Sequence, residues 1–259
     1  MIYVVTHKRF DDQNFCKEGY TVLHVGNNTD CKETYLRDDQ CDNIAYKNAN
    51  YCELTGMYWL WKNAKEKESD IIGLIHYRRG FTKRISNLLY SLHGPIPKNL
   101  DMNCVRRILN KYEAIVPVPE YSAKTVYKSY KQLHYGEDLL LVRKAIKHVC
   151  CDYLSEFDKA MNSHHYFNGN MIITTKKLFD AYTNWLFSVF DVVEKHIDMD
   201  KYDSDYQRRV FGFLSERLLA VWLSYNDVKY KKMPIYNTEI RSENILSENY
   251  KKLKRKLRG

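Results

Sequence analysis

Glycine and proline are scarce in this 259-residue sequence, at 10 and 5. That excludes collagen-like repeats, low-complexity linkers and an all-β chain crowded with tight turns. The seven cysteines (16, 31, 41, 52, 104, 150, 151) contain no C-x-x-C pair and are odd in number. They read as reduced thiols of a cytoplasmic protein, not as a disulfide framework or a zinc site. The longest apolar runs, near Ile71–Ile75 and Leu218–Leu223, are too short to span a bilayer. The opening residues MIYVVTHKRF lack a basic segment followed by an apolar run, so no secretory signal is expected. The patterns G-x-G-x-x-G, G-x-x-x-x-G-K-S/T and G-x-S-x-G are also missing. Simple dinucleotide-binding, P-loop and hydrolase readings therefore fall away.

What is present suits a packed α/β protein. Hydrophobic residues make up 44% and charged residues 28%, enough apolar surface for a sizeable core and too much for wholesale disorder. The length fits one domain over 1–240 with a tail over 241–259. The formal charge is +9. Lys251, Lys252, Lys254, Arg255, Lys256 and Arg258 supply most of it, so the body has too little excess for a nucleic-acid-coating surface and no nucleic-acid partner is expected. In the tail, Leu246, Tyr250, Leu253 and Leu257 recur at helical spacing between those cations. Formed as a helix, this segment suits an anionic membrane surface, which predicts a cytoplasmic protein held peripherally at the inner face of the cell membrane. A disordered basic end is the alternative reading.

Alternation of elements gives the fold class. Ile2–Val5, Tyr20–Val25, Asp70–Tyr77, Tyr112–Val118 and Phe167–Thr174 are strand candidates. Asp70–Tyr77 is almost continuously apolar, as expected of a strand covered on both faces. Asn50–Lys65 reads as a helix, with Tyr51, Leu54, Tyr58 and Trp61 on one stripe; Leu178–Ile197 and Tyr206–Tyr225 are further helices. Residues 121–165 look helical, and 80–102, with Gly80, Gly94, Pro95 and Pro97, read as a mobile excursion. The expectation is an α/β sheet flanked by helices, with a helical C-terminal third.

Several clusters could carry chemistry. His76-Tyr77-Arg78-Arg79 ends a buried strand, where ligands sit in open α/β sheets, and adjacent guanidinium groups suit phosphate oxygens. Asn168-Gly169-Asn170 offers amides for sugar hydroxyls and a glycine for close backbone approach, although an Asn-Gly turn would look the same. Glu216 lies in an otherwise apolar helical run and is a candidate general base; its neighbour Arg217 is expected to point elsewhere on the helix. Asp42, Asn43, Lys47, Asn48 and Glu53 form a polar cluster that could border a pocket or serve as caps and turns. The triplets Asp198-Met199-Asp200 and Asp203-Ser204-Asp205 follow a helix rather than a buried strand and read as loop and cap, not as metal ligands.

Together the blocks Asn43-Ile44, Lys47-Asn48, YCELTGMYWLWKN (51–63), IIGLIHYRRGF (71–81), YFNGNMIITTKKLFDAYTNWLF (166–187) and YQRRVFGFLSERLLAVWL (206–223) resemble a bacterial family of capsular and exopolysaccharide glycosyltransferases long described as a domain of unknown function. The resemblance implies a GT-A-like fold in which that sheet binds a nucleotide. It implies transfer of a galactose-type sugar, pyranose or furanose, from a UDP-linked donor to a capsule, O-antigen or exopolysaccharide acceptor, free or lipid-linked. It implies that Thr6 and His7 border the nucleotide and that Asn168, Gly169 and Asn170 line the sugar, with Asn43, Lys47 and Asn48 on the sugar and acceptor side. It also implies that His76, Tyr77, Arg78 and Arg79 occupy the place of a metal-binding Asp-x-Asp. Two guanidinium groups there would neutralise the leaving diphosphate, so no divalent metal is expected to be required. Glu216 resembles the base of inverting enzymes. The rival readings are a non-catalytic nucleotide-sugar binder and a nucleic-acid-binding module.

Overall fold

The computed structural model describes residues 1–92 and 95–239. The strands are β1 (Ile2–Thr6), β2 (Tyr20–His24), β3 (Leu36–Arg37), β4 (Ile71–His76), β5 (Arg79–Phe81), β6 (Ala114–Pro117), β7 (Glu120–Tyr121), β8 (His165–Tyr166), β9 (Ile172–Thr175), β10 (Tyr230–Met233) and β11 (Ile235–Asn237). The helices are α1 (Asn48–Tyr51), α2 (Leu54–Asn63), α3 (Arg84–Ser91), α4 (Met102–Leu109), α5 (Val126–Leu133), α6 (Gly136–Val149), α7 (Leu154–Asn162), α8 (Lys176–His196), α9 (Asp205–Arg208) and α10 (Val210–Tyr225).

The main sheet runs β10-β6-β9-β4-β1-β2-β3. β4, β1, β2 and β3 are mutually parallel, and β10 is parallel to β6. Along this path β9 is reversed, antiparallel to both β4 and β6; off the path, β5 pairs antiparallel with β4 and with β11. Alternate residues feed two cores, as a strand period of two requires. Tyr3, Val5, Ile72, Leu74, Ala114, Val116 and Ile172 face the larger core, shared with α2, α5–α8 and α10. Ile2, Val4, Ile75, Ile115 and Ile173 face the smaller one, covered by Leu100 and by Val105 of α4. All five residues of β1 are buried, the consequence of cover on both faces.

Several expectations are corrected. The excursion at 80–102 contains one helix, α3, and ends where α4 begins, capped by Asp101, whose carboxylate accepts from Cys104 N at 2.7 Å. The strand expected from Phe167 begins only at Ile172, leaving 167–171 as a loop at the sheet edge. The segment 121–165 is three helices bracketed by the small β7–β8 pair. The chain past α10 returns to the sheet as β10 and β11, so the C-terminal third is not wholly helical. No helix among the described residues is long and apolar enough to cross a membrane. The basic tail over 241–259 lies outside the described residues.

Candidate functional site

Because β9 runs against its neighbours, the loop before it meets the carboxyl end of β4. Leu74 pairs with Ile172; continuing that register sets Asn170 opposite His76. Val5 of β1 pairs with His76 on the other side, so Thr6 and His7 border the same edge. A parallel sheet gathers ligand-facing residues at this end, and here the reversed strand contributes to it as well.

His76 is recessed, and its Nε2 stands 3.7 Å from Glu53 Oε1. Glu53 follows Cys52, whose φ of +53° breaks the α1–α2 segment in the left-handed region, a conformation non-glycine residues rarely adopt. Gly212 of α10 packs against this elbow; a Cβ there would meet Cys52 Sγ at 3.1 Å. Glu53 Oε1 accepts from Asn170 Nδ2 at 2.6 Å. Arg79 Nη1 donates to Asn168 Oδ1 at 3.1 Å, and Asn168 Nδ2 donates to Glu120 Oε1 at 2.9 Å. Gly169, at φ +92°, lies against the arginine: a Cβ would sit 3.1 Å from Arg79 Nη1. Its N–H donates to Glu216 Oε1 at 2.9 Å. The backbone of Gly169 thus lies between a guanidinium group and a carboxylate.

The two expected arginines diverge. Arg79 turns inward to Asn168. Arg78 turns to Glu239, pairing at 2.6 Å, and Tyr77 donates to the other oxygen of Glu239 at 3.0 Å. A third guanidinium, Arg209, sits at the break between α9 and α10, where Nε contacts Cys52 Sγ at 3.1 Å. Burial, with Arg79, Arg78 and Arg209 nearby, holds the His76 imidazole down at about 4 despite Glu53. His76 is therefore neutral at physiological pH. His7, edge-on to Tyr77 at 5.6 Å between centroids, is likewise lowered by burial first, then by Lys8, Arg209 and Arg78. Burial raises the Glu216 carboxyl, reinforced by Glu53 and opposed by Arg217, Arg79 and the Gly169 N–H.

The expectation that Arg217 points away from Glu216 is overturned: its Nη1 pairs with Glu216 Oε2 at 2.6 Å. Successive Cβ atoms on a helix do diverge, but the long arginine folds back. Its guanidinium lies 5.3 Å from the Tyr130 and Tyr166 ring centroids and donates to Phe213 O at 2.8 Å. Asn43, Lys47 and Asn48 make their contacts elsewhere. Asn43 closes a turn, donating to Cys41 O and accepting from Ala45 N. Lys47 pairs with Glu194 of α8 at 2.7 Å. Asn48 donates to Cys52 O and Thr55 Oγ1, bracing the elbow that carries Glu53. Thr6 Oγ1 donates to Lys8 O and accepts from Lys8 N, turning the chain after β1.

Four buried polar atoms in the cluster, His76 Nε2, Asn170 Oδ1, Arg78 Nε and Arg217 Nε, have no hydrogen-bond partner among the described residues. Such atoms are costly unless something polar meets them. Arg79 on one side of Gly169, a raised carboxylate on the other and unpaired polar atoms close by equip this sheet edge to hold an anionic leaving group and take up a proton. Among the described residues no three His, Cys, Asp or Glu side chains are grouped to hold a metal ion. Glu53, Arg209, Glu120 and Glu239 complete the cluster. Glu53 carried a sequence signal, as part of a polar group entering an aromatic helix; the other three carried none.

The family model described as Domain of unknown function (DUF4422) matches residues 1–227. No curated protein is significantly similar. The apo structure of the WbbM bifunctional glycosyltransferase is similar, with a TM-score of 0.77 and 24% identity over 92% of this chain. That likeness establishes the GT-A-like fold; the chain spans about half the length of that structure, 45% of it being covered.

Proposed function

The chain belongs to the family described as Domain of unknown function (DUF4422), and from that premise and the geometry above we propose that it is a glycosyltransferase. The observation that carries the reading is Gly169, held between Arg79 and Glu216 at the sheet edge. The WbbM structure, itself that of a bifunctional glycosyltransferase, supports it.

In this reading the donor is a UDP-linked, galactose-type sugar. Its diphosphate lies against Arg79 and Arg209, and its nucleoside borders Thr6 and His7. The sugar rests over Gly169, whose lack of a side chain permits the approach, with the Asn168 and Asn170 amides beside it. The bond from the anomeric carbon to the diphosphate oxygen breaks, and the charge left on the nucleoside diphosphate is met by preorganised guanidinium groups, with no divalent ion required. An acceptor hydroxyl forms the new bond from the opposite face and gives its proton to Glu216, whose raised affinity for a proton suits a general base near neutral pH. Inversion at the anomeric carbon follows. The acceptor is a growing capsule, O-antigen or exopolysaccharide chain, free or lipid-linked, met at the inner face of the membrane.

Isothermal titration with a panel of nucleotide sugars, with and without a chelator, tests donor and metal together. UDP-hexose binding unaffected by chelator, followed by slow donor hydrolysis, is expected. Binding that vanishes with chelator would remove the arginines from the metal's role. Binding without any turnover would favour the non-catalytic reading.

A further inference from the structure

Surface helices normally turn their apolar stripe inward; α3 does the reverse. Ile85, Leu88, Leu89 and Leu92 recur at helical spacing and are 74%, 60%, 54% and 60% exposed. No residue of α3 is buried. The helix is held by its opposite side, where Tyr90 OH donates to Asn237 O at 2.9 Å and its ring meets Tyr236 edge-on at 6.4 Å. Contiguous exposed apolar surface of this kind marks an interaction site.

The surrounding charge says what covers it. The stretch 71–100 contains no Asp or Glu but has Arg78, Arg79, Lys83, Arg84 and Lys98. Lys83, Arg84 and Lys98 are exposed, as are Arg106 and Arg107 on α4. Lys83 and Arg107 both lie close enough to the exposed Asp101 to favour its ionised form. A second copy of the chain would bring one cationic rim against another, and the C-terminal tail is cationic too. An apolar stripe rimmed by cations fits a surface that is apolar beneath and anionic above.

We propose that α3 is a membrane-contact helix, seating Ile85, Leu88, Leu89 and Leu92 among the acyl chains of an anionic bilayer while Lys83, Arg84 and Lys98 meet the headgroups. Only two residues separate Arg79–Phe81, whose first residue lines the cleft, from α3. Seating the helix therefore sets the cleft beside the bilayer surface. The inference stands apart from sugar transfer and is read without it.

The test is co-sedimentation of the full chain with vesicles of phosphatidylcholine alone and of phosphatidylcholine with about one-third phosphatidylglycerol. The variants are Ile85→Ser/Leu88→Ser/Leu89→Ser and Lys83→Gln/Arg84→Gln, each also made in a chain whose six tail cations are Gln. The triple variant should lose about tenfold or more in partitioning to the anionic vesicles in both backgrounds. The charge variant should lose several-fold and bind with a shallower salt dependence. Thermal midpoints should not move, because the replaced side chains are exposed. Wild-type partitioning by the triple variant would overturn the proposal. So would loss of a concentration-dependent dimer in the triple variant with vesicle binding intact, which would assign the face to a second copy.

Discussion

Two groups of buried polar side chains lie on one edge of the sheet and are built on opposite plans. At the ends of β2 and β3, His24 and Asp38 are fully buried. Asp38 Oδ1 accepts from Gly26 N at 2.9 Å, and burial pushes its carboxyl up to about 6 against that bond and the Thr55 hydroxyl. Burial lowers the His24 imidazole first, with Arg37 next. This corner tends towards neutrality. At the ends of β4 and β9, carboxylates and guanidinium groups drawn from three distant segments oppose one another, through Arg79, Glu53, and Arg209 with Glu216. Desolvation acts on both groups, but in the second opposite charges stand against it: Arg217 and Arg79 oppose the upward push of burial on the Glu216 carboxyl. A buried polar cluster keeps its charges where the fold brings counter-charges to it, and that is where chemistry on an anion becomes feasible.

The largest expected effect concerns the ionic cluster alone. Glu216→Gln should lower turnover by about a hundredfold or more, while the Kd for the donor moves only a few-fold in calorimetry. Turnover close to wild type would take the proton-accepting role away from Glu216 and leave Glu53 as the carboxylate to examine.

The next prediction sets the two clusters against each other through pH. His76 titrates at about 4 in the folded chain instead of 6.5, so the unfolded chain binds that proton first and stability is lost as pH falls from about 6.5 towards 4. Asp38 is shifted the other way, from 3.8 to about 6; its contribution is present at low pH and lost as pH rises through about 6. Each is worth up to about 3 kcal/mol, and in the intact chain they oppose within one window. Asp38→Asn should leave a chain whose urea midpoint climbs with pH between 4 and 7. His76→Gln should leave one whose midpoint climbs less or falls. Parallel profiles for the two variants would dissolve the contrast between the clusters.

A smaller effect separates the arginines. Arg79→Ala should weaken nucleoside diphosphate binding about tenfold or more, relative to the bare nucleoside. Arg78→Ala should weaken it only about two- to threefold, because Glu239 already pairs with Arg78. Equal losses for diphosphate and nucleoside in both variants would make the arginines structural.

Periodicity made much of this fold legible. β1 and β4 follow from continuous apolar runs, and α2 and α8 from apolar spacings of three and four. His76, Arg79, Asn168–Asn170 and Glu216 could be singled out because strand ends, an Asn-Gly pair and a carboxylate in an apolar helix are local signals. What stayed hidden depends on long-range placement. The α9–α10 break that presents Arg209 contains neither Gly nor Pro, the residues that usually announce an interruption. The left-handed Cys52 that aims Glu53 is held by packing against Gly212, some 160 positions away. Glu239 and Glu120 meet their partners, Arg78 and Asn168, across 161 and 48 positions. The helix α3 carried a readable stripe, but flanking glycine and prolines read as loop.

The reversed β9 has a consequence for how the protein is made. In an all-parallel sheet each ligand-facing loop trails its own strand, so a growing chain finishes its cleft strand by strand. Here the loop at 168–170 precedes its strand, and its carboxylate neighbour Glu216 arrives later still. A nascent polypeptide released before α10 would lack Glu216, so on the proposed function every product truncated there would be without its proton acceptor.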